Sequence, residues 1–166
     1  GYPILGCDDN AKDLFDIYGE FPLVITPDSP KVRSILFNLY SSKGFSFATI
    51  ISKRANISPS AIIGEGVVIQ SGVNVSSSTH IGNFVKLNSS ANVMHDTKIE
   101  AFTTIAPNAV VLGRVHIGKK VYIGANSTIL PGLKIADGTM IGAGAVVVKE
   151  ISTAGVFVGV PSKQIK

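Results

Sequence analysis

The chain of 166 residues has a single cysteine, Cys7. A disulfide framework and a cysteine-based zinc site are therefore excluded, and a reducing compartment, the cytoplasm, is expected. Charged residues are scarce, at 16 %. Apolar residues reach 45 %, so the chain buries its own surface, and disorder is excluded. The formal net charge of +4 is mild. It accommodates an anionic ligand and gives no reason to expect nucleic acid. No apolar run approaches the roughly 18 to 20 residues of a membrane helix, so no membrane insertion is expected. No stretch reads as a signal peptide. The length fits one domain, or one domain with a small appendage.

A repeat dominates what remains. In steps of six from Ile57, the residues are Ile57, Ile63, Ile69, Val75, Ile81, Leu87, Val93, Ile99, Ile105, Val111, Ile117, Ile123, Ile129, Ile135, Ile141 and Val147. All are Ile, Leu or Val, which make up 47 of the 166 residues. Chance agreement is on the order of one in 10⁹. A second column four residues further on, from Ala61 to Ile151, is small or β-branched almost throughout. Helices repeat at 3.6 and strands at 2, so a period of six means a short strand followed by a corner. Three corners close an eighteen-residue coil. Coils stacked at roughly 4.8 Å make a parallel β-helix of about five turns. The register predicts no insertion over residues 57–152.

Residues 1–50 do not follow the repeat and predict a small, partial α/β domain; residues 51–166 form the β-helix domain with its tail. Tyr2 to Cys7 reads as a strand ending in a turn at Asp8-Asp9-Asn10. Leu23 to Ile25 and Phe45 to Ile51 read as further strands. Val32, Ile35, Leu36, Leu39 and Tyr40 have helical spacing, with a start signal at Ser29-Pro30 and a stop at Gly44. The tail after Ser152 is apolar and predicts packing on a neighbouring surface.

The histidines are His80, His95 and His116. His80 and His116 share one column two coils apart. His95 is out of phase with them, so a three-ligand metal site is not expected. His95 occupies a corner, with Gly113 stacked one coil later and leaving room for a ligand. Asp96 is placed to fix the imidazole tautomer. An imidazole there suits proton removal from an amine or hydroxyl at neutral pH; a solvated corner histidine is the plainer alternative. Asp8 and Asp9 are either a turn after a strand or a binding pair. Most repeat lysines read as a solvated face, with Lys149 and Lys163 the favoured partners for a phosphate.

Hexads ending in Gly159-Val160-Pro161-Ser162-Lys163 resemble the hexapeptide-repeat acyltransferases. Tyr2-Pro3-Ile4-Leu5-Gly6-Cys7-Asp8-Asp9-Asn10, Ile57-Ser58-Pro59-Ser60-Ala61, Asn92-Val93-Met94-His95-Asp96 and Ile105-Ala106-Pro107-Asn108-Ala109 narrow the likeness. They resemble the bacterial sugar acetyltransferases that include sialic acid O-acetyltransferases and nucleotide-amino-sugar N-acetyltransferases (the PglD-like group). The resemblance implies a left-handed coil, a homotrimer, and acetyl-CoA as co-substrate in the groove between subunits. It implies His95 as general base oriented by Asp96. Backbone amides of Gly113, Ala125 and Ala143 would meet the pantetheine arm. Asp8 and Asp9 would face the nucleotide, and Asn88 would line the acceptor pocket. Two positions depart from the pattern. The family's first strand and Gly-rich loop, roughly one βα unit, are not in this sequence. Thr104 stands where members often carry a His that contacts the thioester, and it is the expected hydrogen-bonding substitute.

The function expected is acetyl transfer to the amino group of an amino sugar, nucleotide-linked, by direct attack. The alternatives are O-acetylation of a sialic acid or other sugar, and a non-catalytic β-helix scaffold. His95-Asp96 favours the enzymes.

Overall fold

The computed structural model describes residues 3–165. From Ile50 onward the six-residue period folds into a three-sided, left-handed parallel β-helix of two-residue strands. Face one carries Ile50–Ile51, Val68–Ile69, Lys86–Leu87, Thr104–Ile105, Tyr122–Ile123 and Met140–Ile141. Face two carries Asn56–Ile57, Asn74–Val75, Asn92–Val93, Val110–Val111, Thr128–Ile129 and Val146–Val147. Face three carries Ile62–Ile63, His80–Ile81, Lys98–Ile99, His116–Ile117 and Lys134–Ile135. As far as Val146–Val147 the strands pair in parallel at a spacing of eighteen residues, as Lys86 with Thr104 and Asn92 with Val110.

The second residue of nearly every strand is buried in the prism, where Leu87, Ile105, Ile123 and Ile141 form part of one continuous core. The small column lines the corners. Two of its threonines bond the chain locally: the Thr97 hydroxyl donates to the Leu112 carbonyl at 3.1 Å and that of Thr103 to Gly118 at 2.8 Å, whereas the buried hydroxyl of Thr139 has no partner among the described residues. Just before each small residue the backbone turns into the left-handed region, from Gly66 to Gly144. Nine of these corners carry side chains, among them Phe84, Asp96 and Arg114. That conformation is costly for an L-residue. Inter-coil bonds hold it, such as the Asp96 amide to the Ser77 carbonyl at 3.0 Å and the Arg114 amide to the His95 carbonyl at 2.9 Å.

The repeat is longer than the sequence count. It starts one hexad earlier, at Ile50–Ile51, because that pair stacks on Val68–Ile69. It ends one strand later, at Val156–Val158 on Met140–Ile141, giving six coils rather than five. The last coil is two residues short: Ile151 pairs with Ile135, so the unbroken register stops near Val147. The tail packs on its own prism. It reverses through Gly159 and returns antiparallel as Lys163–Gln164.

The N-terminal piece is more helical than expected. Residues 3–7 form no strand, and Ile4 is 93 % exposed, since no described strand lies beside them to pair; Tyr2 lies outside the described residues. Asp8–Asn10 is a single 3₁₀ turn leading into helix α1, Ala11–Tyr18, which the sequence reading missed. Leu23 makes only one parallel bridge, to Phe47. Helix α2, Pro30–Ser41, starts as expected: the Ser29 hydroxyl accepts from the Val32 amide at 3.4 Å. Phe37 of α2 packs against Phe47, Phe84 and Phe102, and the last two rings stack at 5.2 Å. This aromatic cluster seats the N-terminal piece on the prism corner beside face one.

Candidate functional site

His95 sits at the corner between faces two and three, in the coil that runs from Lys86 to Thr104. Its Nδ1 lies 2.8 Å from Oδ2 of Asp96. Asp96 reaches it because its left-handed backbone, φ 57°, swings the carboxylate back over the preceding residue. The other edge of the ring lies against Gly113. A Cβ on Gly113 would fall 2.7 Å from His95 Nε2 and Cε1. The imidazole is thus held on one nitrogen and pressed onto open backbone beside the other, and its side chain is 44 % exposed. An imidazole held in this way can exchange a proton through its second nitrogen.

The corners supply a second ingredient. The residue at the second place of each corner keeps its N–H outside the inter-coil ladder. In some rungs a side chain takes it: Gln70 Oε1 accepts from Ser89 at 3.0 Å, and Asp137 Oδ1 from Lys119 at 2.8 Å. Among the described residues nothing accepts from the amides of Gly113, Ala125 or Ala143. Gly113 shares its corner with His95. Ala125 and Ala143 stack on the other edge of face two. At the top of that face the tail is tied down by the Ser162 amide to the Val146 carbonyl at 2.8 Å. Lys163 and Lys149 line one cavity of about 320 Å³ there, with Phe157 and Pro161. The residues expected to touch the co-substrate therefore border one face, apart from Thr104.

Thr104 is a correction. It is fully buried on face one, where its hydroxyl donates to the Asp28 carbonyl at 2.6 Å and accepts from Arg33 Nη1 at 2.8 Å. It has no surface left for a thioester, because α2 covers it. Asn88 is also buried, and its Nδ2 donates to Asp28 Oδ1 at 3.0 Å. Asp8 lines a cleft of about 370 Å³ with Tyr40, Thr26 and Pro27. Tyr40 donates to Asp8 Oδ1 at 2.6 Å, and this bond with partial burial pushes the phenol up to about 12. Asp9 does not line the cleft.

Three residues were missed as contributors. Arg33, 1 % exposed, spreads six hydrogen bonds over Phe84, Pro27, Asp28, Phe102, Thr103 and Thr104. Burial pushes it down to about 10, opposed by Asp28, so it is charged at neutral pH. Lys86, read as a solvated lysine, is buried and bonds the Thr26 carbonyl at 2.6 Å and Asp28 at 2.9 Å. Burial raises the Asp28 carboxyl, but bonds from Lys86 and Asn88 and the two cations outweigh it and leave the group below its usual value. The only available signal was helical: Arg33 falls on the α2 face that also carries Phe37.

On face three, Lys98 and His116 both meet Glu100, at 2.7 and 3.3 Å. Among the described residues no group of three or more His, Cys, Asp or Glu is placed to hold a metal, and no helix is long and apolar enough to cross a membrane.

The family pattern described as bacterial transferase hexapeptide (six repeats) matches residues 114–149. No curated protein matches by sequence. Among solved structures, a point mutant of GDP-perosamine N-acetyltransferase from Caulobacter crescentus, in complex with CoA and GDP-perosamine, superposes with a TM-score of 0.95 at 30 % identity, covering 100 % of this chain and 79 % of that one. The acetyltransferase domain of PglB from Neisseria gonorrhoeae gives 0.94 at 28 %, over 99 % and 80 %. WeeI from Acinetobacter baumannii gives 0.87 at 28 %, over 99 % and 79 %. With the fold, the corner glycine and the likeness running the length of the prism and the N-terminal piece together, the chain belongs to the hexapeptide-repeat sugar acetyltransferases.

Proposed function

We propose that this protein transfers the acetyl group of acetyl-CoA to the amino group of a nucleotide-linked amino sugar, with His95 as general base. The observation that carries the reading is the imidazole held by Asp96 on Nδ1 and lying over Gly113 on its Nε2 side. The neutral amine attacks the thioester carbon, and its N–H proton passes to His95 Nε2. The C–S bond breaks and the thiolate of CoA takes the proton back. Asp96 stabilises the transient imidazolium. The free Gly113 amide is placed to meet the developing oxyanion, and those of Ala125 and Ala143 to bond the pantetheine amides. Lys163 and Lys149 supply positive charge for the phosphates. Asp8 and the cleft beside it take the nucleotide.

A homotrimer supports this chemistry. The outward residues of the upper half of face two include Val110, Leu112, Leu130, Val146 and Val148, all partly or fully exposed. Face one is covered at its middle by the N-terminal piece, and face three is charged. In a threefold ring, the His95–Gly113 edge of one subunit comes beside the Ala125–Ala143 edge of the next, and acetyl-CoA lies in the groove between them.

Calorimetry and a thiol-release assay test the reading, with GDP-perosamine and UDP-linked amino sugars as acceptors. The native chain and His95→Ala should both bind acetyl-CoA, and kcat of the variant should fall by about 10² to 10⁴. A trimeric chain that does not bind acetyl-CoA overturns it.

A further inference from the structure

We propose that Asp28 is the sugar-binding carboxylate of the acceptor site, accepting hydrogen bonds from donors on the sugar ring and presenting that ring to His95 of a neighbouring subunit. The inference rests on the function proposed above and adds the residue that would position its acceptor.

A shared level in the fold carries it. The coil that begins at Lys86 continues through Asn88, turns the corner at His95 and closes at Thr104. Asp28 docks on that coil at three points. Its Oδ1 accepts from Lys86 Nζ at 2.9 Å and from Asn88 Nδ2 at 3.0 Å, and its carbonyl accepts from the Thr104 hydroxyl at 2.6 Å. Arg33 holds the same carbonyl at 2.9 Å. All four partners are buried, yet the Asp28 side chain is 56 % exposed. No described group donates to Oδ2. A carboxylate clamped through one oxygen and open at the other is a preorganised acceptor, with its ordering cost already met by the fold.

Continuity with the cleft adds direction. Thr26 and Pro27 line the cavity that holds Asp8 and Tyr40, and Asp28 is the next residue. A ligand with one end in that cleft meets Asp28 as it leaves toward the prism. Lys86 and Arg33 balance the charge, so the carboxylate stays ionised at neutral pH and offers acceptors only.

Within one subunit Asp28 and His95 cannot share a ligand easily, because face two lies between face one and the His95 corner. A parallel threefold ring brings equal levels of its subunits side by side. The acceptor held by Asp28 of one subunit then faces His95 of the next. Asp28 is a positioning residue in this scheme; His95 does the chemistry.

The test is steady-state kinetics on Asp28→Asn with whichever of GDP-perosamine or the UDP-linked amino sugars the native enzyme acetylates. The variant is isosteric and keeps an oxygen for Lys86. Its acceptor KM should rise by about 10- to 100-fold, the loss of one hydrogen bond to a charged group, while the acetyl-CoA KM stays near native; the melting temperature falls in either case, because buried Lys86 loses its charged partner. A purely structural ion pair would leave the acceptor KM alone, and that result overturns the assignment. Mixed trimers check the cross-subunit geometry. In an equal mixture of Asp28→Asn and His95→Ala chains, about one site in four combines an intact Asp28 with an intact His95 from the neighbour. Activity at low acceptor should therefore recover on mixing; no recovery overturns the shared site. A native enzyme that binds acetyl-CoA and acetylates none of these acceptors overturns the proposed function itself, and is distinct from a native enzyme whose Asp28→Asn variant behaves identically.

Discussion

Gly113 lies so close under the ring of His95 that a single added methyl would sit 2.7 Å from Nε2. Its backbone is not in the left-handed region, so alanine is tolerated by the chain itself. The strain falls on the far end of a flexible side chain. Gly113→Ala should therefore fold and melt like the native protein while the imidazole is pushed out of place. A displacement near 1 Å costs about 10²-fold in rate. Thiol-release kinetics beside a thermal melt check both halves.

Asp96 holds the other nitrogen at 2.8 Å. Asparagine adopts a left-handed backbone more readily than most residues, so Asp96→Asn should preserve the corner. On the proposed mechanism it loses the carboxylate that would stabilise the imidazolium. Expected is a kcat lower by about 10- to 10³-fold, with acetyl-CoA affinity unchanged. An unchanged kcat would show that His95 does not act as a charged intermediate.

Arg33 joins the N-terminal piece to the prism through six hydrogen bonds. Arg33→Ala leaves five carbonyls and a hydroxyl in a dry interface short of a donor. The expected loss is about 3 to 5 kcal/mol, by analogy with breaking a buried ion pair. Lysine has too few donors and no planar fork, so Arg33→Lys should recover little. Limited proteolysis should release the first 50 residues first, while the prism stays resistant.

Glu100 sets an acid-side dependence. The bond from Lys98 lowers its carboxyl most, burial opposes, and His116 adds to the lowering. A carboxyl depressed in the folded state stabilises it above the unfolded value, near 4.3. That contribution is lost as pH falls through the folded value. Glu100→Gln should lower the melting temperature slightly at pH 6, and the difference from the native chain should vanish as the pH falls below the depressed folded value. High salt should narrow the difference, because the group is partly exposed.

How much was legible follows from how local each feature is. The period from Ile57 to Val147 is visible because a hexad contains its own strand, corner and core residue. The extra rung at Ile50–Ile51 was not, because only its partner eighteen residues on reveals it. The two-residue deletion at Ile151 was hidden by a small-column residue that happens to be aliphatic. Helix α1 was readable in principle, since Leu14, Phe15 and Tyr18 lie on one side, but the Asp8-Asp9-Asn10 turn signal was read as an end rather than a start.

The same division holds at the site. His95, Asp96 and Gly113 are separated by one residue and by one coil, so the sequence alone determined their juxtaposition. Thr104 looked available because its hexad is ordinary. Only the docking of α2 decided that it is buried, and that Lys86, outward in the pattern, is an anchor for Asp28 instead of a solvated lysine. A stacked repeat propagates its geometry from neighbour to neighbour, so its sequence carries it. The seating of residues 3–49 on face one depends on one guanidinium and four phenyl rings meeting partners up to 71 positions away, and such contacts exist only once the chain has closed on itself.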